Sequence, residues 1–77
     1  MNQQRRKKLN KIMEAIDRLM DDIEEVQNEE QEAYDNMPEN LQESERGEAM
    51  QEAIDNLDSA WSSLEEAKDT LEEIINN

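Results

Sequence analysis

The sequence predicts an all-α fold, an antiparallel hairpin of two long helices that associates into a four-helix bundle or a higher homo-oligomer. Two runs of apolar residues predict the helices, because the apolar positions return alternately after three and four residues. One proline, Pro38, separates the runs. The 77 residues include no cysteine or histidine, so disulfides and thiolate or imidazole metal ligands are excluded. We therefore expect one domain over residues 1–77 that needs a partner to bury enough apolar surface.

The first helix is predicted over about residues 3–35. Pro38 disfavours helical backbone at Met37, so the helix is expected to end near Asn36. Its stripe has one charged member, Glu30, which we interpret as a residue that sets the register. The stripe consists of Leu9, Ile12, Ile16, Leu19, Ile23, Val26, Glu30, Ala33 and Met37.

The second helix is predicted over about residues 45–76. Ser44 suits the N-cap, and Glu45 suits the positive end of the helix dipole. Gly47 falls in the first turn, where its low helix propensity is expected to cost least. The stripe of this helix consists of Met50, Ala53, Leu57, Ala60, Leu64, Ala67, Leu71 and Ile74.

The connection over about residues 36–44 is expected to be ordered. Asn36 followed three residues later by Glu39 has the form of a capping box. This pattern predicts a short turn of helix over residues 38–41. A connection of this length between helices of nearly equal length favours the antiparallel arrangement.

Each stripe is wider than one seam between two helices requires. Further apolar side chains adjoin both stripes, and that width is typical of a bundle helix with two neighbours. The small side chains Ala53, Ala60 and Ala67 are expected to let the two helices of one chain approach closely. The adjoining residues are then expected to face a second subunit. The predicted oligomer interface is Met13, Met20, Ile54, Trp61 and Ile75.

The formal charge of −14 is segregated along the chain. The first eleven residues hold five cations and no acid, whereas residues 12–77 hold all 22 carboxylates against Arg18, Arg46 and Lys68. Direct binding of duplex nucleic acid along the body is not expected, because phosphate binding needs basic stripes. An acidic body attracts a cationic partner instead. A solvated acidic surface that maintains solubility is the simpler interpretation.

No pattern of residues predicts catalysis, a metal site or a cofactor. The chain has no nucleophile–base pair and no glycine-rich phosphate loop. Neighbouring carboxylates on a helix point about 100° apart and cannot converge on one bond. Bundle-type metal sites need histidine together with inward carboxylates. With no apolar run long enough to cross a bilayer, we expect a non-enzymatic soluble protein of the cytoplasm.

Two polar clusters are candidate ligand sites. The basic cluster at residues 5–8 has three interpretations: neutralisation by acids of the second helix, phosphate binding, or docking of a partner. The acids meant are Glu65, Glu66, Asp69, Glu72 and Glu73. The start of the second helix offers backbone N–H groups to an anion. Two antiparallel hairpins would combine both clusters in one pocket, with the candidate ligand residues Arg5, Arg6, Tyr34, Asn36, Asn40, Ser44 and Arg46.

The loop carries the most specific sequence motif, YDNMPENLQESER over residues 34–46, followed by EAIDNL over residues 52–57. These motifs resemble a family of short acidic helical proteins of phages and prophages of Gram-positive bacteria. The similarity covers most of the chain after Leu9. The family has no settled activity, so the resemblance implies a genomic context and no residue roles. Small phage accessory proteins often block host immunity by binding rather than by catalysis.

Three functions remain open on the sequence. In the first, which charge segregation favours, pockets made by the oligomer sequester an anionic nucleotide that signals host immunity. In the second, which the charge count favours, the acidic body imitates nucleic acid and inhibits a host nuclease or another defence effector, as anti-CRISPR and anti-restriction proteins do. In the third, the protein is a helical scaffold. The sequence interpretation leans slightly towards sequestration.

Overall fold

The computed structural model describes residues 1–77 as three helices, α1 (Gln3–Asp35), α2 (Glu39–Gln42) and α3 (Glu45–Asn76). The long helices α1 and α3 pack against each other, and the single turn α2 packs on α3 at the closed end. The result is a rod of 58 × 15 × 12 Å. The predicted all-α fold with two long, mutually packed helices is confirmed.

Cross-helix contacts fix the register of the hairpin. They join Arg6 to Asn77, Asp17 to Lys68, Gln27 to Ile54, and Tyr34 to Gln51. The two residue numbers in each contact add to between 81 and 85. Residues of α1 and α3 therefore lie at the same level along the rod when their numbers add to about 83. Leu19, for example, lies level with Leu64.

The seam between α1 and α3 is built from residues that are buried or half-buried within one chain. Met20 is the one buried apolar side chain, with 6% of its surface exposed. On α1 the half-buried apolar residues of the seam are Leu9, Met13, Ile16, Ile23 and Tyr34, and on α3 they are Met50, Ile54, Leu57, Trp61, Leu64, Leu71 and Ile75; Ala15 and Ala53 are half-buried beside them. Together with Met20 and the half-buried polar residues Gln27, Glu30 and Lys68, the seam residues keep the alternating spacing of three and four that marks a coiled coil.

The predicted division of the stripes between the seam and the outside is therefore wrong. Met13, Met20, Ile54, Trp61 and Ile75, which were expected to face a second subunit, lie in the seam within the chain. The alanine edge of α3, which was expected in the seam, lies beside it. The physical reason is side-chain size, because a seam filled by methionine, tryptophan and isoleucine buries more apolar area than one filled by alanine.

The displaced stripes form an open apolar face along one side of the hairpin. Its larger side chains are substantially exposed: Ile12 47%, Leu19 51%, Val26 50% and Ile74 38%. On α1 and on α3 alike, each residue of the displaced stripe comes directly before a seam residue and occupies the same heptad position. Because both helices are right-handed and they run antiparallel, equivalent flanking positions fall on the same side of the seam. The open apolar face consists of Ile12, Leu19, Val26 and Ala33 of α1 with Ala53, Ala60, Ala67 and Ile74 of α3.

Caps close the loop at both ends. Asn36 ends α1, and its backbone N–H donates to the carbonyl oxygen of Glu32 at 3.0 Å, while the Met37 N–H donates to that of Tyr34 at 3.1 Å. Ser44 caps α3 as predicted, since its hydroxyl accepts from the Gly47 N–H at 3.4 Å. The short helical turn is present at Glu39–Gln42, but its N-cap is Pro38 and no side chain caps it. The predicted capping box on Asn36 is therefore wrong, because Asn36 terminates the preceding helix.

Gly47 is required by a close approach of two backbones rather than merely tolerated. It is buried, and a Cβ at this position would lie 2.7 Å from the Cα of Gln42 and closer still to its carbonyl oxygen. Only a residue without a side chain lets α2 pack this tightly on the start of α3. Gly47 therefore determines the shape of the closed end.

Replacing Gly47 with alanine should destabilise the protein, although alanine is the better helix former. Overpacking against a rigid backbone costs about 1–3 kcal/mol, which outweighs the gain in helix propensity of about 1 kcal/mol or less in a first turn. Denaturant unfolding followed by circular dichroism measures the change. Ser62→Ala, at an exposed position within α3, is the control and should change the free energy of unfolding by less than about 0.5 kcal/mol. A stabilised Gly47→Ala variant would contradict the packing described above.

Candidate functional site

The basic cluster lies at the open end of the rod, in the first turns of α1. Asn2 caps the helix, and its side-chain oxygen accepts from the Arg5 N–H at 2.8 Å. Arg5 is exposed, whereas Arg6 is half-buried and donates to the backbone oxygen of Asn77 at 3.3 Å. The cluster forms no ion pair with α3. The interpretation that acids of the second helix neutralise it is not supported by any contact within 4.0 Å.

The loop cluster lies at the opposite end of the rod. The Tyr34 hydroxyl accepts from Gln51 Nε2 at 2.9 Å, and its carbonyl oxygen accepts from Gln42 Nε2 at 2.9 Å. Tyr34 is therefore held in the end of the seam by both α2 and α3. Asn40 and Arg46 are exposed, and neither has a side-chain hydrogen bond or ion pair within the chain.

A single chain does not bring the predicted ligand residues together. Arg5 and Arg6 are separated from Tyr34, Asn36, Asn40, Ser44 and Arg46 by most of the 58 Å length of the rod. The grooves found on the surface do not include the loop residues. Arg5 does line a shallow depression with Met1, Lys8 and Leu9 at the open end. The composite pocket thus remains a prediction that depends on a second chain.

Eleven exposed carboxylates line the side of the rod opposite the open apolar face. Each of them comes directly after a seam position of the heptad, and these positions lie on the side of the seam away from the open apolar face. We define this acidic face as Glu14, Asp17, Asp21, Glu24 and Asp35 of α1 with Glu48, Asp55, Asp58, Glu65, Asp69 and Glu72 of α3. The hairpin therefore has one apolar side and one strongly anionic side.

One ion pair neutralises part of the acidic face. Lys68 Nζ lies 2.7 Å from Asp17 Oδ1, and no other cation forms an ion pair in the protein. The hydrogen bond to Asp17, and next its charge, raise the pKa of Lys68 above the ordinary value of 10.5. The remaining carboxylates of this face project into solvent without a charged partner.

The Asp17–Lys68 pair has a defined pH dependence. Folding raises the pKa of Lys68, so the stabilisation from the ion pair is fully present below pH 10.5. It is lost as the pH rises through the pKa that Lys68 has in the folded protein. The difference in Tm between the wild type and Lys68→Gln should therefore be constant near neutral pH and shrink above pH 10.5. Lys11→Gln, which removes a cation without an ion pair, is the control. A difference that widens at alkaline pH would contradict this sign.

Trp61 lies in a shallow groove on the acidic side of the hairpin. Glu24, Gln27 and Asn28 of α1 and Asp58 of α3 line the same groove. The ring is half-buried, so its exposed part adjoins two unpaired carboxylates. An aromatic surface beside carboxylates is suited to an ammonium or guanidinium group, through cation–π contact and ion pairing. The sequence interpretation missed this site, although the spacing of Asp58 and Trp61 places both on one helix face.

Other features of the surface have no comparable chemistry. A groove at the open end is lined by Asp69, Glu72, Glu73, Asn76 and Asn77 and contains no apolar residue. No group of three or more carboxylates is arranged to hold a metal ion. Neither long helix contains a stretch apolar enough to span a membrane.

Comparisons with protein families, with curated proteins and with solved structures found no match to this chain. The resemblance of the loop motif to acidic phage proteins therefore remains a prediction from the sequence.

Proposed function

We propose that this protein is a non-catalytic inhibitor whose acidic face occupies the basic groove of a nucleic-acid-binding protein. The acidic face itself supports this function most directly, because its eleven exposed carboxylates share one side of the rod and one of them is paired. The eleven carboxylates of the acidic face lie along 58 Å, one per about 5 Å, and a single DNA strand carries one charge per about 3.4 Å. A basic groove built for phosphates would attract such a surface.

The groove at Trp61 gives the acidic face an anchor. Interface energy concentrates in a few residues, and tryptophan is strongly enriched among them. In our proposal an arginine or lysine of the target lies over the exposed part of Trp61, between Glu24 and Asp58. This contact adds short-range specificity to an attraction that is otherwise long-range and electrostatic.

The resemblance to phage proteins suggests the class of target. A nuclease or another defence effector of the host bacterial cell has the basic groove that the proposal needs, and the protein would meet it in the cytoplasm. The proposal has no catalytic step, metal ion or cofactor. The protein would act as a counter-defence factor by occupying a binding site, in the manner of an anti-CRISPR or anti-restriction protein.

The experiment is inhibition of DNA cleavage by restriction and RNA-guided nucleases, with duplex DNA as the competing ligand. Inhibition should be competitive with DNA and should weaken steeply with salt, because exposed charges are screened over about 8–10 Å at physiological ionic strength. Binding of the target should also protect Trp61, the one tryptophan of the chain, from a fluorescence quencher. Inhibition that is unchanged by salt would contradict the proposal.

Sequestration of an anionic nucleotide is the second candidate. The observation that favours it is the placement of Arg5 and Arg46, which continue the two stripes of the open apolar face at its opposite ends. If two chains pair through this face with their ends reversed, Arg5 of one chain approaches Arg46 of the other. Two guanidinium groups brought together in this way would bind a phosphate group through charge-assisted hydrogen bonds.

Thermal-shift screening against cyclic nucleotides and ADP-ribose derivatives tests sequestration. A compound that binds the folded protein and is present at 100 times its Kd adds about 2.7 kcal/mol of stability and raises Tm by about 10–20 °C. Arg46→Gln should abolish that shift. The absence of any shift across the screened compounds would count against this candidate and leave the acidic-face proposal as it stands.

A further inference from the structure

The hairpin alone leaves too much apolar surface in water. Of its 77 residues only Met20 and Gly47 are buried, and Met20 is the whole of the apolar core. Leu19, adjacent to Met20, is half exposed, as are Ile12 and Val26. A contiguous exposed apolar face of this extent marks an interaction surface. Small domains with so little core usually gain stability by association.

We propose that the open apolar face binds a second copy of this chain, with the two hairpins antiparallel and related by a two-fold axis at the level of Leu19. This proposal does not depend on the acidic-face function, because the two faces lie on opposite sides of the rod. The association places both acidic faces outward.

The stripes are self-complementary about this axis. On α1, an axis at Leu19 sets Leu19 against its own copy and Ile12 against Val26 of the second copy. Leu19 lies level with Leu64 of α3 in the register described above. The same axis therefore crosses α3 between Ala60 and Ala67. It sets these two alanines against each other across the interface, so the second helices approach closely. One axis thus satisfies both stripes, as an isologous dimer requires.

Charge selects the antiparallel orientation over the parallel one. The open end carries the five cations of residues 5–11 with Glu72 and Glu73 of α3 at the same level, and the closed end carries nine carboxylates against Arg46 over residues 28–52. The antiparallel pair places the cations of each open end beside a strongly anionic closed end. The parallel pair brings the two anionic closed ends together, which opposes association.

The side of the rod that carries the face is large enough for a stable interface. It measures 58 × 15 Å between Cα extents, a footprint of the order of 800 Å². Standard protein–protein interfaces bury about 800 Å² on each partner. The second copy therefore supplies the hydrophobic core that a single hairpin lacks.

The same axis creates one composite basic site at each end of the four-helix bundle. Arg5 of one copy lies about one helical turn along the axis from Arg46 of the second copy. Both continue the stripes of the open apolar face by heptad position, so both border the interface. This arrangement completes the pocket that a single chain leaves divided.

Cysteine cross-linking tests the proposal, because the native chain contains no cysteine. Leu19→Cys should form a disulfide-linked dimer under mild oxidation. Ile12→Cys and Val26→Cys should link to each other when the two proteins are mixed, more than either links to itself. Glu24→Cys, on the acidic face, is the matched control and should remain monomeric on a denaturing gel.

Sedimentation equilibrium gives an independent measurement on the unmodified chain. The wild type should have twice the mass of the 9.1 kDa chain at micromolar concentration, and Leu19→Glu should lose the dimeric species. A wild type of 9.1 kDa overturns the dimer. A dimer in which Leu19→Cys fails to link, or in which Glu24→Cys links equally well, overturns the antiparallel packing through this face.

Discussion

Met20→Ala should destabilise the protein by about 2–5 kcal/mol, the cost of deleting a large apolar side chain from a core. Met20 is the one buried apolar residue of the chain, so no other side chain of α1 is as completely enclosed by the packing between α1 and α3. A domain of this size has only a few kcal/mol of net stability. The variant should therefore be largely unfolded at 37 °C, as circular dichroism will measure.

Leu19→Ala is the matched control, because Leu19 is adjacent in sequence and similar in size but 51% exposed within the hairpin. Its cost should depend on protein concentration, since the side chain is buried only when a second copy binds. The cost of Met20→Ala should be the same at all concentrations. A larger loss for Leu19→Ala in dilute protein would mean that Leu19, and not Met20, lies in the seam.

This pair of variants addresses the point at which the sequence is ambiguous. Ile12 and Met13, or Leu19 and Met20, are adjacent apolar residues, and either member of each pair continues the alternating spacing of three and four. The period predicts two helices that pack along a seam, and the short connection predicts that they run antiparallel, but neither specifies which stripe is the seam. The choice depends on how Met20 fits against α3, a property of three-dimensional packing that one-dimensional spacing does not contain.

The loop shows a similar limit at Gly47. Ser44 could be predicted as the cap because its hydroxyl acts on a backbone N–H three residues away, a local interaction. The need for glycine at position 47 arises from the backbone of Gln42 on a different helix. The two residues are five apart in sequence, but they meet because the turn between the helices brings the end of α2 against the start of α3, and the sequence pattern did not predict that approach.

The positions of Arg5 and Arg46 could be predicted from the sequence, whereas the groove at Trp61 could not. The segregation of charge along the chain places Arg5 and Arg46 at opposite ends of any antiparallel hairpin, as the structure has them. The groove at Trp61 required the correct seam, because Glu24 of α1 reaches the ring only when Trp61 lies between the helices. With the stripes exchanged, Trp61 would face a second subunit and its neighbourhood of carboxylates would not form.

Neutralising the acidic face should abolish inhibition if the proposed function is correct. Glu24→Gln, Glu65→Gln and Glu72→Gln together remove three carboxylates from the same side of the rod. Close charge pairs across an interface contribute at least about 1.5 kcal/mol each, so three losses should weaken binding by about a thousandfold. Nuclease inhibition titrated at fixed ionic strength measures this loss.

The matched control removes the same number of glutamates from the outer surfaces of the same helices. Glu32→Gln, Glu52→Gln and Glu73→Gln change the net charge equally, and all three positions are exposed. If inhibition depends on the arrangement of the acidic face, this variant should keep most of its activity. Equal loss in both triple variants would show that inhibition follows the net charge alone, contrary to the groove-binding proposal.

The arginine variant separates this function from sequestration. Arg5→Gln, Arg6→Gln and Arg46→Gln make the chain more anionic, so binding to a basic groove should be retained or strengthened. Binding of a phosphate-bearing ligand should be lost, since each charge-assisted hydrogen bond contributes about 1.5–3 kcal/mol. Because the two sets of residues lie on different faces, no single change removes both activities. If inhibition is lost when the three arginines are replaced but kept when Glu24, Glu65 and Glu72 are replaced, the protein acts by binding an anion.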